Sequence, residues 1–595
     1  MPSQERGQQE RGQSRALTPS TSVKPLDNIK LRKLFVATLS TILLLGSLSL
    51  DAATSHPVRG KNGVVSSSSA IASEVGVEIL KQGGNAVDAA IATAFTMAVT
   101  WPGAGNIGGG GFLIYHGADG EATAFDFREK APLASTKTMY LDEDGNVRDN
   151  SNHDSLLAVG VPGTVAGLEL AHQRFGTLPW EELLQPAIDL ARDGMPISWY
   201  LHDSFKNLKP WWDKYPSSAK IFLKEDGSFY APGDTWKQPD LANTLKRIQK
   251  DGKDGFYKGE TARLVADFME KNGGIITLED LEKYQAIERE PIRGTYRGYE
   301  IISMPPPSSG GTAIVHMLNI LEGFDLKQIG HNSALYLHLL TEAMRRAYAD
   351  RANFLGDADF NENLPIAILT SKEHAARQRA TIDLQHASAS DPAKFAQLYE
   401  SEETTHFSVA DKDGNMVAMT YTLEYGYGSK AVIEGAGFLV NNEMGDFNAR
   451  PGITLEDGTI GTDANQIRPQ QRMLSSMSPT VVAKDGVPLM ATGTPGGRTI
   501  INTTMQTILN VIDHEMNVAE ALNAGRIHHQ WLPDRTSVER HRFSADTLSL
   551  YEAQGHEMSE TSSIGSAMAV YRDPQTGVLS GAADPRAEDG AAVAY

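Results

Sequence analysis

The sequence predicts a layered α/β or α+β body, and two observations carry that reading. Strand-like runs gather near the start and in the last third of the chain, while residues from about 165 to 400 are mostly helical in period. The strands expected within residues 404–595 also need partners and cover from the first half, so this stretch is not a separate domain. Composition agrees with a large globular core: of 595 residues, 41% are apolar and 22% charged, and 55 glycines point to many tight turns.

Residues 1–28 are polar and rich in Gln, Ser, Arg and Pro, and read as a disordered leader. Lys30, Arg32 and Lys33 then precede the 17-residue apolar stretch Leu34 to Leu50, which ends at Asp51-Ala52-Ala53. Over residues 29–53 a basic flank, an apolar run and small residues make an export signal. The run is also close to the minimum length of a bilayer span, so a membrane anchor through residues 34–50 is the other reading. Either one places the working part outside the cytoplasm, in the periplasm or the medium.

From Ser66 the chain turns helical in period, with Ile71, Val75, Ile79 and Leu80 on one face and a stop at Gly83-Gly84. Asn85 is the expected cap of a second helix, Ala86 to about Val99, apolar nearly all round and therefore buried. Gly103, Gly105 and Gly108 match a dinucleotide fingerprint in spacing, but they follow a helix and precede the strand Phe112–Tyr115. That order is the reverse of what a nucleotide site needs, so the glycines are read as close backbone packing. Farther on come a strand at 298–303, the turn-rich Pro305–Gly311 and an amphipathic helix at 333–350. Strands follow at 405–422, 435–441, 480–484 and 488–493, then helices at 499–513 and 517–524, then strands near 567–572 and 590–594.

The net charge of −20 excludes a nucleic-acid partner, which would need a basic surface. The absence of cysteine excludes disulfides, thiolate catalysis and Cys-ligated zinc. His528-His529 is the only adjacent His pair and is read as structural.

The segment 405–422 reads as a hairpin around an Asp-Gly turn. If Gly414 takes the left-handed position of a three-residue turn, Asp411 pairs with Asn415 and Thr404 lies opposite Thr422 on one face. A two-residue Asp413-Gly414 turn would instead set Thr405 opposite Thr422, a weaker fit. A threonine hydroxyl is a poor nucleophile in mid-chain, but freed as an N-terminus it can use its own α-amine as general base.

Five motifs share the chain with this hairpin: Phe125–Pro132 around Arg128, Thr404-Thr405-His406, Asn441–Phe447, Leu474–Pro479 and Thr494–Arg498. In that order and spacing, with Asp584-Pro585-Arg586 near the end, the chain from about Gly60 to Tyr595 resembles the γ-glutamyltranspeptidase family of N-terminal-nucleophile hydrolases. The resemblance implies a four-layer αββα sandwich and a precursor that cuts itself between Glu403 and Thr404. The products would be a large subunit (54–403) and a small one (404–595). Thr404 would attack a γ-glutamyl amide such as glutathione, and the acyl group would pass to water, an amino acid or a dipeptide. Thr422 would hydrogen-bond Thr404, and the amides of Gly496 and Gly497 would hold the oxyanion. Arg128, with Ser475 and Ser476, would grip the α-carboxylate. Asp446 and Glu443 would accept from the α-ammonium. The chemistry implied needs no metal and no cofactor.

Two positions depart from the family pattern. Glu424 stands where much of the family has Asn, and Asp457 stands where some lid loops, here Pro451–Asp463, carry an aromatic. Both add negative charge near the pocket. Two other readings remain: an acylase for glutaryl-type donors, against which Asp446 and Glu443 argue, and an unprocessed, non-catalytic relative, against which Thr404 and Thr422 argue.

Overall fold

A computed structural model describes residues 55–390, 404–452 and 462–595. Glu403, Asp457 and the leader 1–54 therefore lie outside the described residues. Two seven-stranded antiparallel sheets pack face to face. The first runs Ala591–Ala594, Gly63–Ser67, Thr405–Asp411, Met416–Thr422, Gly110–His116, Ala122–Phe127, Ile287–Arg289. The second runs Val58–Gly60, Leu579–Ala583, Met568–Arg572, Val487–Gly493, Thr480–Lys484, Tyr299–Ser303, Ile292–Tyr296. Side-chain alternation sorts the residues into layers. Phe112, Ile114, Ala410 and Ala418 meet Ile302, Val481, Ala491 and Val570 between the sheets. Phe407, Val409, Val417 and Tyr421 point outward to helices that include Ala70–Lys81, Ala86–Thr100 and Trp180–Asp193. On the far side, Gly310–Leu321, Ala334–Phe354 and Thr499–Ile512 cover the second sheet. The order is α, β, β, α, the sandwich that the family resemblance implies.

Local chemistry explains the elements that set the centre. Asn85 caps the helix Ala86–Thr100 through a full capping box with Asp88, and all 15 residues of that helix are buried. The hairpin forms in the three-residue register: Asp411 N–H donates to Asn415 O at 3.1 Å, Thr405 faces Tyr421, and Gly414 has φ +96°. The carboxylate of Asp411 accepts from the amides of Asp413, Gly414 and Asn415 and, from the helix layer, Ala86. It thus fixes both the turn and its seat on the capped helix.

Two expectations need correction. Residues 435–441 form no strand; Gly435 (φ +78°) and Gly437 (φ +77°) bend the chain into a tight turn with only an isolated Val432–Leu439 bridge. Conversely, Gly63–Ser67, just before the first helix, is a central strand paired with both Ala591–Ala594 and Thr405–Asp411. Its run is too short for periodicity to reveal.

The glycine-rich loop does what close packing requires. A Cβ on Gly109 would stand 2.0 Å from Thr422 O, and one on Gly108 would stand 2.1 Å from Leu439 O. Gly109→Ala should therefore destabilise the fold by about 1–3 kcal/mol, read as a lower thermal midpoint. An unchanged midpoint would show that the loop relaxes freely.

Candidate active site

Thr404 and Thr422 sit at one end of the crevice between the sheets, on the face shared with Ala410 and Ala418. Thr404 Oγ1 lies 3.5 Å from Thr422 Oγ1, long for a hydroxyl–hydroxyl bond. Thr422 Oγ1 also accepts from Glu424 N–H at 2.9 Å, and Glu424 stands at φ +78° in a tight turn after the strand. From the glycine-rich loop, Asn106 Nδ2 donates to Thr422 O at 2.9 Å. His406 and Ser408 continue the same face. The His406 ring nitrogens meet Thr420 Oγ1 (2.8 Å) and Ser408 Oγ (2.9 Å), and burial lowers its pKa to about 3, so it stays neutral.

Next to Thr404 is a cavity of about 20 Å³, room for about one water. Every substrate-binding residue singled out in the sequence lines it: Arg128, Glu424, Glu443, Asp446, Ser475 and Ser476, with Thr404, Thr422 and Gly497. On its other side Thr404 borders a cleft of about 300 Å³, lined also by Gly496, Ser68, Trp101 and Tyr200. Gly496 (φ +128°) and Gly497 (φ +53°) join the strand Val487–Gly493 to the helix Thr499–Ile512. Neither amide is engaged among the described residues. Two amides at a helix N-terminus make a ready site for developing negative charge.

Arg128 is buried and bonds both Glu443 and Asp446, with further contacts to the Met473 and Leu474 carbonyls at 3.4 and 3.3 Å. The arginine and the two acids, expected to take opposite ends of a ligand, here neutralise one another. Glu129 adds a third carboxylate 3.7 Å from the guanidinium, and Glu424 a fourth on the cavity wall. Burial outweighs Arg128 for the acids: it pushes Glu129 up to about 8 and Glu443 well above the carboxylate range. Glu424 does not face solvent. It is 2% exposed, and its Oε1 lies 3.0 Å from His153 Nδ1. Burial lowers His153 to about 4, and its ring stacks on Tyr425. Lys430 Nζ sits over the rings of Tyr425 and Trp211.

Sequence reasoning missed the residues that hold this set. Arg351 donates to Ser476 Oγ (2.9 Å) and to Ser309 Oγ (2.7 Å), and Ser309 donates to Ser475 O from both N–H and hydroxyl. The turn-rich Pro305–Gly311 is thus the mount of the serine loop. Asn441 accepts from Glu443 N–H at 3.1 Å and ties it to Gly160. Their signal was weak, because polar residues in loops look alike until their partners are known. His528 and His529 are buried and bonded to Asn502, Gln530 and Asp534, a structural pair.

Two facing antiparallel sheets between helical layers, with a threonine at the start of a central strand beside the Gly496-Gly497 pair, define the N-terminal-nucleophile hydrolase class. Within that class the chain belongs to the gamma-glutamyltranspeptidase family, whose model matches residues 72–594. It is 49% identical to the glutathione hydrolase proenzyme of Escherichia coli (strain K12), over 91% of this chain and 93% of that one. To the acylase ACY 1 proenzyme of Pseudomonas sp. (strain SE83) it is 37% identical, over 90% and 94%. The crystal structure of the cephalosporin acylase from Bacillus halodurans superposes with a TM-score of 0.80 at 28% identity, over 92% and 98%.

The raised Glu129 makes stability depend on pH. Between its ordinary 4.5 and about 8 the folded state holds a proton that the unfolded state has lost, so stability falls as pH rises through that window. Glu129→Gln should flatten the decline of the thermal midpoint over this range; an identical slope would assign it to other groups.

Proposed function

We propose that the chain is a self-processing γ-glutamyl hydrolase and transferase with Thr404 as nucleophile. One observation carries the reading: Glu443, Asp446 and Glu129 gather at the Arg128 guanidinium, and Glu424 joins Glu443 and Asp446 on the wall of a cavity opening on Thr404 and Thr422. The acidic surplus suits a donor that brings an ammonium beside its carboxylate. A glutaryl group brings none, which disfavours the acylase reading despite the kinship with acylases.

Self-cleavage comes first. Thr404 Oγ attacks the Glu403 carbonyl, the peptide bond to Thr404 N breaks as an ester forms, and water releases the Glu403 carboxylate. Residues 54–403 and 404–595 become the large and small subunits, and the new α-amine serves as base for Thr404 Oγ. A γ-glutamyl group needs more room than the present cavity, so its carboxylate takes Arg128 and the hydroxyls of Ser475 and Ser476. Its ammonium takes Asp446, Glu443 and Glu424. Arg128 and the acids exchange one another for the two ends of the substrate. The amides of Gly496 and Gly497 stabilise the tetrahedral oxyanion. The leaving amine departs through the larger cleft, and water, an amino acid or a dipeptide enters by the same route to receive the acyl group. The enzyme works after export, directed by residues 29–53 either as a cleaved signal or as an anchor. No helix among the described residues is long and apolar enough to cross a membrane.

Purified protein should run as two chains, the smaller beginning Thr-Thr-His-Phe, and Thr404→Ala should remain one inactive chain. Normal processing of the alanine variant would overturn the mechanism. Glu424 sets donor choice. Two like charges ~6 Å apart at an effective dielectric of ~20 repel by roughly 3 kcal/mol, which solvent and protonation reduce to about tenfold in kcat/KM. Glu424→Asn should narrow the preference for γ-glutamyl over glutaryl amides by about that factor while self-cleavage continues. Equal ratios in parent and variant would remove Glu424 from selectivity.

A further inference from the structure

In the helical layer over the second sheet, three helices bring together two imidazoles and a carboxylate. His316 comes from Gly310–Leu321, Asp350 from Ala334–Phe354 and His374 from Lys372–Arg379. Asp350 Oδ2 lies 2.8 Å from His374 Nε2 and 3.6 Å from His316 Nδ1, and one ligand atom from each residue falls within 4.8 Å of the others. Bonds of about 2.0–2.2 Å to a tetrahedral ion separate its ligand atoms by roughly 3.3–3.5 Å. The two measured edges bracket that value, and small side-chain rotations close the third.

The second observation is His316 itself. It is 1% exposed, its Nε2 has no hydrogen-bond partner among the described residues, and its Nδ1 stands too far from Asp350 for a hydrogen bond. A buried imidazole nitrogen left unsatisfied is costly and calls for a missing partner. Arg346, whose charge is felt at His316, is engaged with Glu342 and Thr381.

We propose that His316, Asp350 and His374 form a site for a divalent transition metal, Zn²⁺ or a similar ion, with solvent completing the shell. Two imidazoles and one carboxylate suit Zn²⁺, Co²⁺ or Ni²⁺, whereas Mg²⁺ and Ca²⁺ want oxygen ligands throughout. The ion takes no part in acyl transfer. It clasps the helix that begins just after Ser309 and the helix that carries Arg351, the two residues that mount Ser475 and Ser476.

The test uses tag-free protein, stripped with EDTA and titrated at neutral pH with ZnCl₂ by calorimetry and with CoCl₂ by visible absorption. One equivalent should bind per chain, the Co²⁺ complex should show tetrahedral ligand-field bands, and added Zn²⁺ should raise the thermal midpoint. His374→Ala and His316→Gln should each weaken Zn²⁺ binding at least roughly 100-fold, since even second-shell losses cost 10–100-fold, while matching the parent in EDTA. If His316→Gln does not fold, His374→Ala alone decides. Failure to bind one equivalent, or binding that His374→Ala leaves unchanged, would overturn the site and leave water as His316's partner.

Discussion

The register of the hairpin Thr405–Thr422 is the constraint on which the site depends. Side chains alternate along a strand, so a slip of one residue would turn Thr404 and Thr422 from the inter-sheet crevice toward the helix layer. Asp411 prevents the slip. Its carboxylate takes three amides of the turn and the first amide of the helix Ala86–Thr100. The register and the seating of the first sheet on its helices are therefore one interaction. Asn106 and Gly109 hold the other end of the hairpin through Thr422, one by a hydrogen bond and one by having no side chain.

A cut before Thr404 is compatible with this architecture because neither product could leave the sandwich easily. The strand Thr405–Asp411 lies between Gly63–Ser67 and Met416–Thr422, and Thr480–Lys484 lies between Val487–Gly493 and Tyr299–Ser303. Both sheets contain strands from both sides of position 404, so ladders and core hold the two pieces together. A new N-terminus would then begin at the edge of a buried crevice, where desolvation keeps a neutral amine accessible as a base.

The electrostatics of the cavity reinforce this chemistry. Buried carboxylates without enough cations are costly, and raised pKa values at Glu129 and Glu443 express that cost. Arg128 offsets part of it by pairing with Glu443 and Asp446. A zwitterionic ligand offers both partners at once, so it can open the pair without leaving either charge bare. Glu424 extends the acidic wall, and the contact with His153 requires the neighbouring position to be glycine. A Cβ on Gly445 would stand 2.3 Å from the His153 ring and 2.9 Å from Glu424.

Much of this was legible in the residues alone. The hairpin register followed from turn chemistry between Asp411 and Asn415, a local matter. The buried helix capped by Asn85 and the packing role of the glycine loop followed from periodicity and order. The residues that gather in the cavity were recognisable because their motifs lie in a telling sequence. What the sequence could not reveal depends on contacts between distant segments. The central strand Gly63–Ser67 is too short for its pattern to speak, and only its partners make it a strand. Arg351 reaches Ser476 across 125 positions, and His153 meets Glu424 from another part of the fold. Arg128 looked like a ligand anchor facing two acids, but only burial in a common cavity made them partners of one another. Local sequence determines propensity and turn geometry, whereas charge pairing and desolvation are set by whatever the folded chain brings within a few ångströms.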